Sequence, residues 1–415
     1  MVAGALQDTD RQGARASELQ TLATVSAAHL VSHIYIMTLP VLLPFLKERY
    51  GVGFFELGLA ITTFNVVTAL TQAPTGFLVD RVGPRGVLMA GLSLGGLAFA
   101  MLGFTTSYPL LIAAAFLGGL ANCVYHPADY AILADGIAEH RIGRAFSIHT
   151  FAGFLGGALA PPVLLGLLAF AGFTTALVFV GLLGPLAAVA LALTPPPKAR
   201  EAVSKAHPVE AKAKGARGAT AGLLTPAILG LTVFFTLISL TNGAMGGFSV
   251  VAFIGGHGLS LAAANTALTA FLICGALGVL AGGSLADRTR RHGEVAALGY
   301  GVSALIVVGI ALLTPPVAVI VVAMALSGFL TGIIQPSRDM LVRKAAPPGA
   351  VGRAFGIVST GFNIGGIIGP LLLGWIMDNA SPRWVFGAGA AFMAAIAVFG
   401  LMSERRSAAR AAEAR

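Results

Sequence analysis

Apolar residues gather in this chain into long blocks separated by short polar turns. Blocks of about 20 mainly apolar residues, the length a membrane-crossing helix needs, begin near Thr21, Phe54, Gly86, Pro109, Arg144, Phe173, Gly222, Ser260, Val295, Pro315, Arg353 and Pro382. The pattern predicts an all-α membrane protein with twelve transmembrane helices. Between the sixth and seventh blocks lies a stretch rich in Pro, Ala and Lys, which reads as a solvated linker. The organisation expected is therefore a polar tail at 1–20, a six-helix half at 21–194, a linker at 195–220, a second six-helix half at 221–403 and a tail at 404–415.

Composition narrows the class further. With 56% apolar and 10% charged residues and a mean hydropathy of +0.87, a water-soluble fold is not expected. The 54 glycines suit helices packed closely in lipid, which favours a helix bundle over a barrel. A net charge of +9 would point to nucleic acid only if the basic residues shared one patch, and they are scattered through short loops. Placing the amino terminus inside leaves all but Lys47, Arg49 and Arg383 of the 26 Lys and Arg on the cytoplasmic side, as the positive-inside rule requires. The charge thus follows from topology: a multi-pass protein of the cytoplasmic (inner) membrane with both termini cytoplasmic, whose partner is the lipid bilayer rather than nucleic acid. Cys123 and Cys274 fall in apolar blocks of opposite halves and read as free thiols. The first block is too long for a signal h-region and carries His29 and His33, so no cleavable signal is expected.

An internal repeat organises the chain. Gly76-x3-Asp80-Arg81 recurs as Gly283-x3-Asp287-Arg288, with the aspartates 207 positions apart. Gly143-Arg144-Ala145-Phe146 recurs as Gly352-Arg353-Ala354-Phe355, 209 positions on, and Pro127 and Pro161 match Pro336 and Pro370 at that same spacing. Two related halves with a binding site near the midplane is a recurrent transporter plan.

The loop Gly76-Phe77-Leu78-Val79-Asp80-Arg81-Val82-Gly83-Pro84-Arg85, with its degenerate second copy, resembles the signature loop between helices two and three of the major facilitator superfamily. The resemblance implies two pseudo-symmetric six-helix halves. Within the superfamily the chain is similar to the fosmidomycin-resistance type of drug exporter in His29, in Leu43-Pro44-Phe45-Leu46 and in His126-Pro127. It departs from that type at His33, where an acidic residue is usual, and at Ala128 and Ala131, which replace a Glu and an Arg. Gly356-x8-Gly365-x3-Gly369-Pro370 resembles an antiporter motif, but one normally read on helix five, where only Gly156 and Pro161 match.

Ionisable side chains at membrane depth are costly and usually face a cavity or a partner. His29 and His33 share a helix face, His33 roughly 18 Å into its helix at 1.5 Å per residue. Asn122, Tyr125, His126 and Asp129 form one stripe on helix four, and the resemblance implies that helices one and four both line a central cavity. Pro127 frees a carbonyl that Tyr125 or water would serve. His149, a turn into helix five, adds a fourth imidazole. Coupling or substrate contact is one reading of these groups and interior hydrogen bonding the other. For Asp129 the competing reading is a gate ion pair with Arg81, Arg85 or Arg144.

Four histidines and an aspartate have the chemistry of transition-metal ligands, but no tight ligand spacing beyond the i, i+4 pair exists, so no metal and no cofactor is expected. In the second half Asn242, Gln335 and Asn363 are candidate substrate contacts, while Arg338 would either recruit an anion or act beside Asp339 at a gate. Gly76, Asp80, Arg81, Gly83, Arg85, Asp287 and Arg288 are read as the cytoplasmic gate, with a solvated turn as the alternative. No nucleophile order or nucleotide-binding glycine loop is present, so an enzyme is not expected. The reading is a monomeric, proton-coupled exporter of a small molecule working by alternating access. Proton-coupled uptake of a small organic anion or metal chelate is the first alternative, and a non-transporting receptor is the alternative of another class.

Overall fold

The computed structural model describes residues 2–138, 141–195, 225–347 and 351–413, and it contains no strand among them. Beyond Pro195, the linker expected at 195–220 lies outside the described residues. Helices α1 (Val2–Tyr50), α2 (Phe54–Val82), α3 (Pro84–Leu102) and α4 (Tyr108–Gly136) follow one another through short turns. A continuous helical stretch, Ile142–Leu193, comes next. Its 52 residues would span about 78 Å, more than twice the roughly 30 Å of a hydrocarbon core. The stretch is broken at Gly172, whose φ of 79° and ψ of 173° no other residue type would adopt readily. Residues 142–171 are therefore α5 and 173–193 are α6, which turns eleven long apolar helices into twelve crossings among the described residues.

Helix α7 (Pro226–Asn242) continues through a π turn at Gly243–Phe248 into Ser249–His257. Thr225 accepts from the Ile228 amide at 3.3 Å to cap its start, and Ser260 does the same for Ala263 at α8 (Leu261–Arg288). Helix α9 is His292–Leu312. Helix α10 runs Val317–Ile333 and resumes as Gln335–Ala345, interrupted next to Pro336, which cannot continue the hydrogen-bond ladder. Helices α11 (Val351–Asn379) and α12 (Trp384–Glu413) complete the order. Of the tails expected at 1–20 and 404–415, the described residues 2–20 and 404–413 are helical continuations of α1 and α12.

The chain divides into two compact units, Met1–Thr38 with Val66–Lys214, and Leu39–Asn65 with Gly215–Arg415. The sequence repeat places the boundary at the linker alone, whereas packing assigns the segment around the α1–α2 turn to the second unit. The reason is close helix contact: a Cβ at Gly58 would overlap the Pro370 carbonyl oxygen, and one at Gly374 would stand 2.5 Å from that of Phe54. In addition, Asp378 accepts from the amides of Phe54 (3.0 Å) and Phe55 (2.7 Å) at the start of α2.

Within the first unit, glycines set the distances between helices. Gly96 lies on the Gly181 carbonyl, Gly184 on that of Leu92, and Gly156 on that of Leu30, so α3 meets α6 and α1 meets α5 backbone to backbone. Position 365, 209 residues after Gly156, repeats the last contact in the second unit, where Gly365 meets Thr236 and Ser239 of α7. The approach of α1 to α5 carries His29 and His149 toward each other.

Candidate functional site

Five titratable side chains from three helices of the first unit converge. His29 Nδ1 stands 3.4 Å from Asp129 Oδ2, and His149 Nε2 stands 3.6 Å from the same oxygen. The His29 ring stacks on His149 with centroids 4.0 Å apart, meets His33 edge-on at 4.7 Å and lies 5.3 Å from His126. His29 is 4% exposed, and Asp129 and His149 are fully buried. His33 is half-buried and His126 exposed, so the cluster runs from an accessible imidazole to a closed carboxylate. Tyr130 lies over both His126 and His149 at 5.8 Å and meets Phe146 at 5.2 Å, adding an aromatic wall. Gly153 makes the room: a Cβ there would be 2.7 Å from His29 Nε2 and 2.8 Å from His33 Nε2. A buried carboxylate is tolerated only with a proton or an opposing positive charge beside it. The cluster offers either.

The structure corrects several expectations. Asp129 is not paired with Arg81, Arg85 or Arg144; its neighbours are His29 and His149. Arg85 instead donates to the carbonyls of Leu191 (2.6 Å) and Thr194 (2.5 Å), closing the end of α6. Tyr125 does not serve the carbonyl freed by Pro127. Its hydroxyl donates to the Gly91 carbonyl of α3 at 3.4 Å. Asn122 donates to Thr68 of α2 at 3.3 Å. The stripe thus divides among three neighbours, because residues spaced i, i+3, i+4 and i+7 still span about 100° of helix circumference. Only His126 and Asp129 of the four join the histidine cluster.

In the second unit Arg338 is 15% exposed, pairs with Asp339 at 2.8 Å and stacks its guanidinium over Phe235 (4.9 Å) and Phe362 (5.4 Å). Gln335 accepts from Arg338. Asn363 is half-buried and Asn242 exposed, the latter immediately before the π turn. Asp80, Arg81, Asp287 and Arg288 are exposed, and Gly83 holds a φ of 96° at the turn into α3. Gly76 and Asp80 line a cleft of about 290 Å³ with Phe77, Pro127 and Ala131. Sequence reasoning missed Gly153, Tyr130 and the π turn. Gly153 was open to inference, since it lies four residues after His149 on one helix face; the others carried no comparable signal.

Among the described residues, twelve apolar crossings in two units, with polar side chains held inside them, fit a multi-pass membrane transporter. The chain belongs to the Major Facilitator Superfamily, whose family model matches residues 25–255 and 234–415. It is 26% identical over 392 residues to the fosmidomycin resistance protein of Escherichia coli (strain K12), covering 93% of this chain and 92% of that one. It is 24% identical over 369 residues to the MFS-type transporter YfnC of Bacillus subtilis (strain 168), covering 86% and 87%. Its fold is similar to the inward-facing, unoccupied crystal structure of a bacterial homolog of the human lysosomal transporter Spinster. The TM-score is 0.73 at 15% identity, with 94% of this chain and 96% of that one covered.

Proposed function

We propose that the protein exports a small organic molecule across the cytoplasmic membrane in exchange for protons, as a monomer with both termini in the cytoplasm. The observation that carries this reading is the buried Asp129 flanked by His29 and His149, with His33 and His126 beside them. Gain or loss of a proton there changes what α1, α4 and α5 gain from one another, and such a differential contact is what moves an equilibrium between two states. Export is supported by the near full-length similarity to a resistance protein. The exposed Asp80, Arg81, Asp287 and Arg288 form the cytoplasmic gate in this reading, with Gly83 permitting the turn after α2, Arg85 anchoring it to the end of α6, and Gly76 lying inside α2 rather than in the turn.

The test is solute flux in proteoliposomes under an imposed pH gradient, using a panel of small organic solutes that begins with fosmidomycin. The native chain should transport faster when the gradient is present, and His29→Gln and Asp129→Asn should each lose most of that acceleration, since a positioned acid–base group typically contributes about 10²–10⁴-fold. Flux that ignores the gradient in the native chain and both variants would sink the reading. Absence of flux for every solute would favour a receptor.

One observation favours a second reading, uptake of a small organic anion. Arg338, largely buried against two aromatic rings, has the planar donor fork that recognises carboxylates. In that case Arg338→Lys would raise the KM for an organic acid and leave neutral solutes unaffected.

A further inference from the structure

We propose that the cluster in the first unit binds a first-row divalent transition metal of the Zn²⁺ or Co²⁺ class through His29 Nδ1, His149 Nε2 and Asp129 Oδ2. The three donor atoms lie within 4.8 Å of one another. A tetrahedral ion with bonds of about 2.0–2.1 Å holds its donors about 3.3 Å apart. Asp129 Oδ2 stands 3.4 Å from one imidazole nitrogen and 3.6 Å from the other, so both edges that meet at this oxygen already have that length.

Hydrogen bonding does not account for the arrangement. His29 Nδ1, both ring nitrogens of His149 and both oxygens of Asp129 are buried without a hydrogen-bond partner. Buried polar atoms are almost always satisfied, and three of these orphans, one from each residue, gather within 4.8 Å of one another, an arrangement that calls for a ligand of high charge density. Imidazole with one carboxylate is a donor set suited to zinc, cobalt or nickel, whereas Mg²⁺ and Ca²⁺ demand more oxygens. The ligands come from α1, α4 and α5, so a bound ion ties three helices together and binds the folded chain far better than the unfolded one. The exposed His126, 5.3 Å from His29, marks the side from which an ion enters.

Metal binding goes beyond the transport reading and is measured without flux. Full-length protein is purified in detergent, its affinity tag removed, and titrated with Co²⁺ while the visible absorption of a four-coordinate site is followed. Zn²⁺ is then added to displace the Co²⁺, and the melting temperature is recorded. One Co²⁺ per chain, displaced by Zn²⁺ with a rise in Tm, is the expected result. His149→Gln and Asp129→Asn should each weaken binding by more than about tenfold, since even outer-shell partners are worth 10–100-fold. His257→Gln, in the second unit, should bind as the native chain does. The inference is overturned if the native chain takes up no Co²⁺, whatever the variants do, or if binding survives both cluster substitutions or disappears with His257→Gln. Gradient-driven flux measured with a metal chelator present reports on proton coupling separately, so either claim can fail alone.

Discussion

The hydroxyl of Tyr35, on α1, stands over the break that Pro185 makes in α6. Proline has no amide hydrogen, so the carbonyl four residues earlier, Gly181, loses its helical donor. Tyr35 Oη donates to that carbonyl at 3.3 Å and accepts from the Gly184 amide at 2.8 Å. Tyr35→Phe should therefore leave the Gly181 carbonyl buried and unpaired, a loss of about 1–3 kcal/mol. A lower melting temperature in detergent, with helical content unchanged, is the expected reading.

The second unit solves the same problem with a different side chain. Pro370 in α11 leaves the Gly366 carbonyl without a donor, and Asn65 Nδ2 of α2 supplies one at 2.8 Å. Asn65→Leu should cost about 1–3 kcal/mol in the native chain. In a Pro370→Ala background, whose new amide can reach Gly366, the same substitution should cost clearly less. A double-mutant cycle on thermal stability measures the difference, and an additive pair would refute the link.

Gly153 is the position where a single methyl group should disturb function most. Gly153→Ala places a Cβ 2.7 Å from His29 Nε2 and forces the imidazoles apart, whereas a Cβ at Gly166, on the same helix, meets nothing within 4 Å. Gly153→Ala should lower gradient-driven flux by at least about tenfold, within the roughly 100-fold that misplacing a reacting group by about an ångström can cost. Gly166→Ala should remain close to native in the same assay.

Asp378 acts as an N-cap from another helix, accepting from Phe54 and Phe55 where α2 begins. Gly53 leaves it room, since a Cβ there would stand 2.7 Å from its carboxylate oxygen. Asp378→Ala should lower stability by about 1 kcal/mol, and Asp378→Asn by less, because the amide oxygen still accepts but without the charge. Melting curves of the two variants side by side provide the check.

Arg85 closes the other end of the same kind of device, with its guanidinium on the last carbonyls of α6. Arg85→Gln should destabilise the first unit by about 1 kcal/mol, less than the roughly 1.5–3 kcal/mol of a buried charge-assisted bond because the group is partly exposed. Arg85→Lys should recover part of that loss, since one ammonium reaches fewer carbonyls than the fork. Thermal melts again separate the cases.

Much of this architecture was legible along the chain. Apolar length alone predicts a membrane helix, because no unpaired backbone survives in lipid, and the repeats at Asp80/Asp287 and Arg144/Arg353 announce two related halves. Even the break between α5 and α6, at Gly172, falls one residue before the start read at Phe173. The candidate histidines were also visible, since an ionisable group in an apolar block stands out without any structure.

What those groups touch was decided only by the tertiary fold. Asp129 resembled a gate residue because it lies near the end of its helix, yet the close approach of Gly156 to Leu30 seats it between His29 and His149 instead. Helix periodicity gives each side chain a direction along its own axis but says nothing of which neighbour waits there. That choice depends on interhelix distances set by small residues far apart in the chain, so Tyr125 turns to Gly91 and Tyr35 to Gly181. The sequence by itself determined the membrane, the helices and the repeat, through local length and polarity; only long-range packing decided which polar atoms meet.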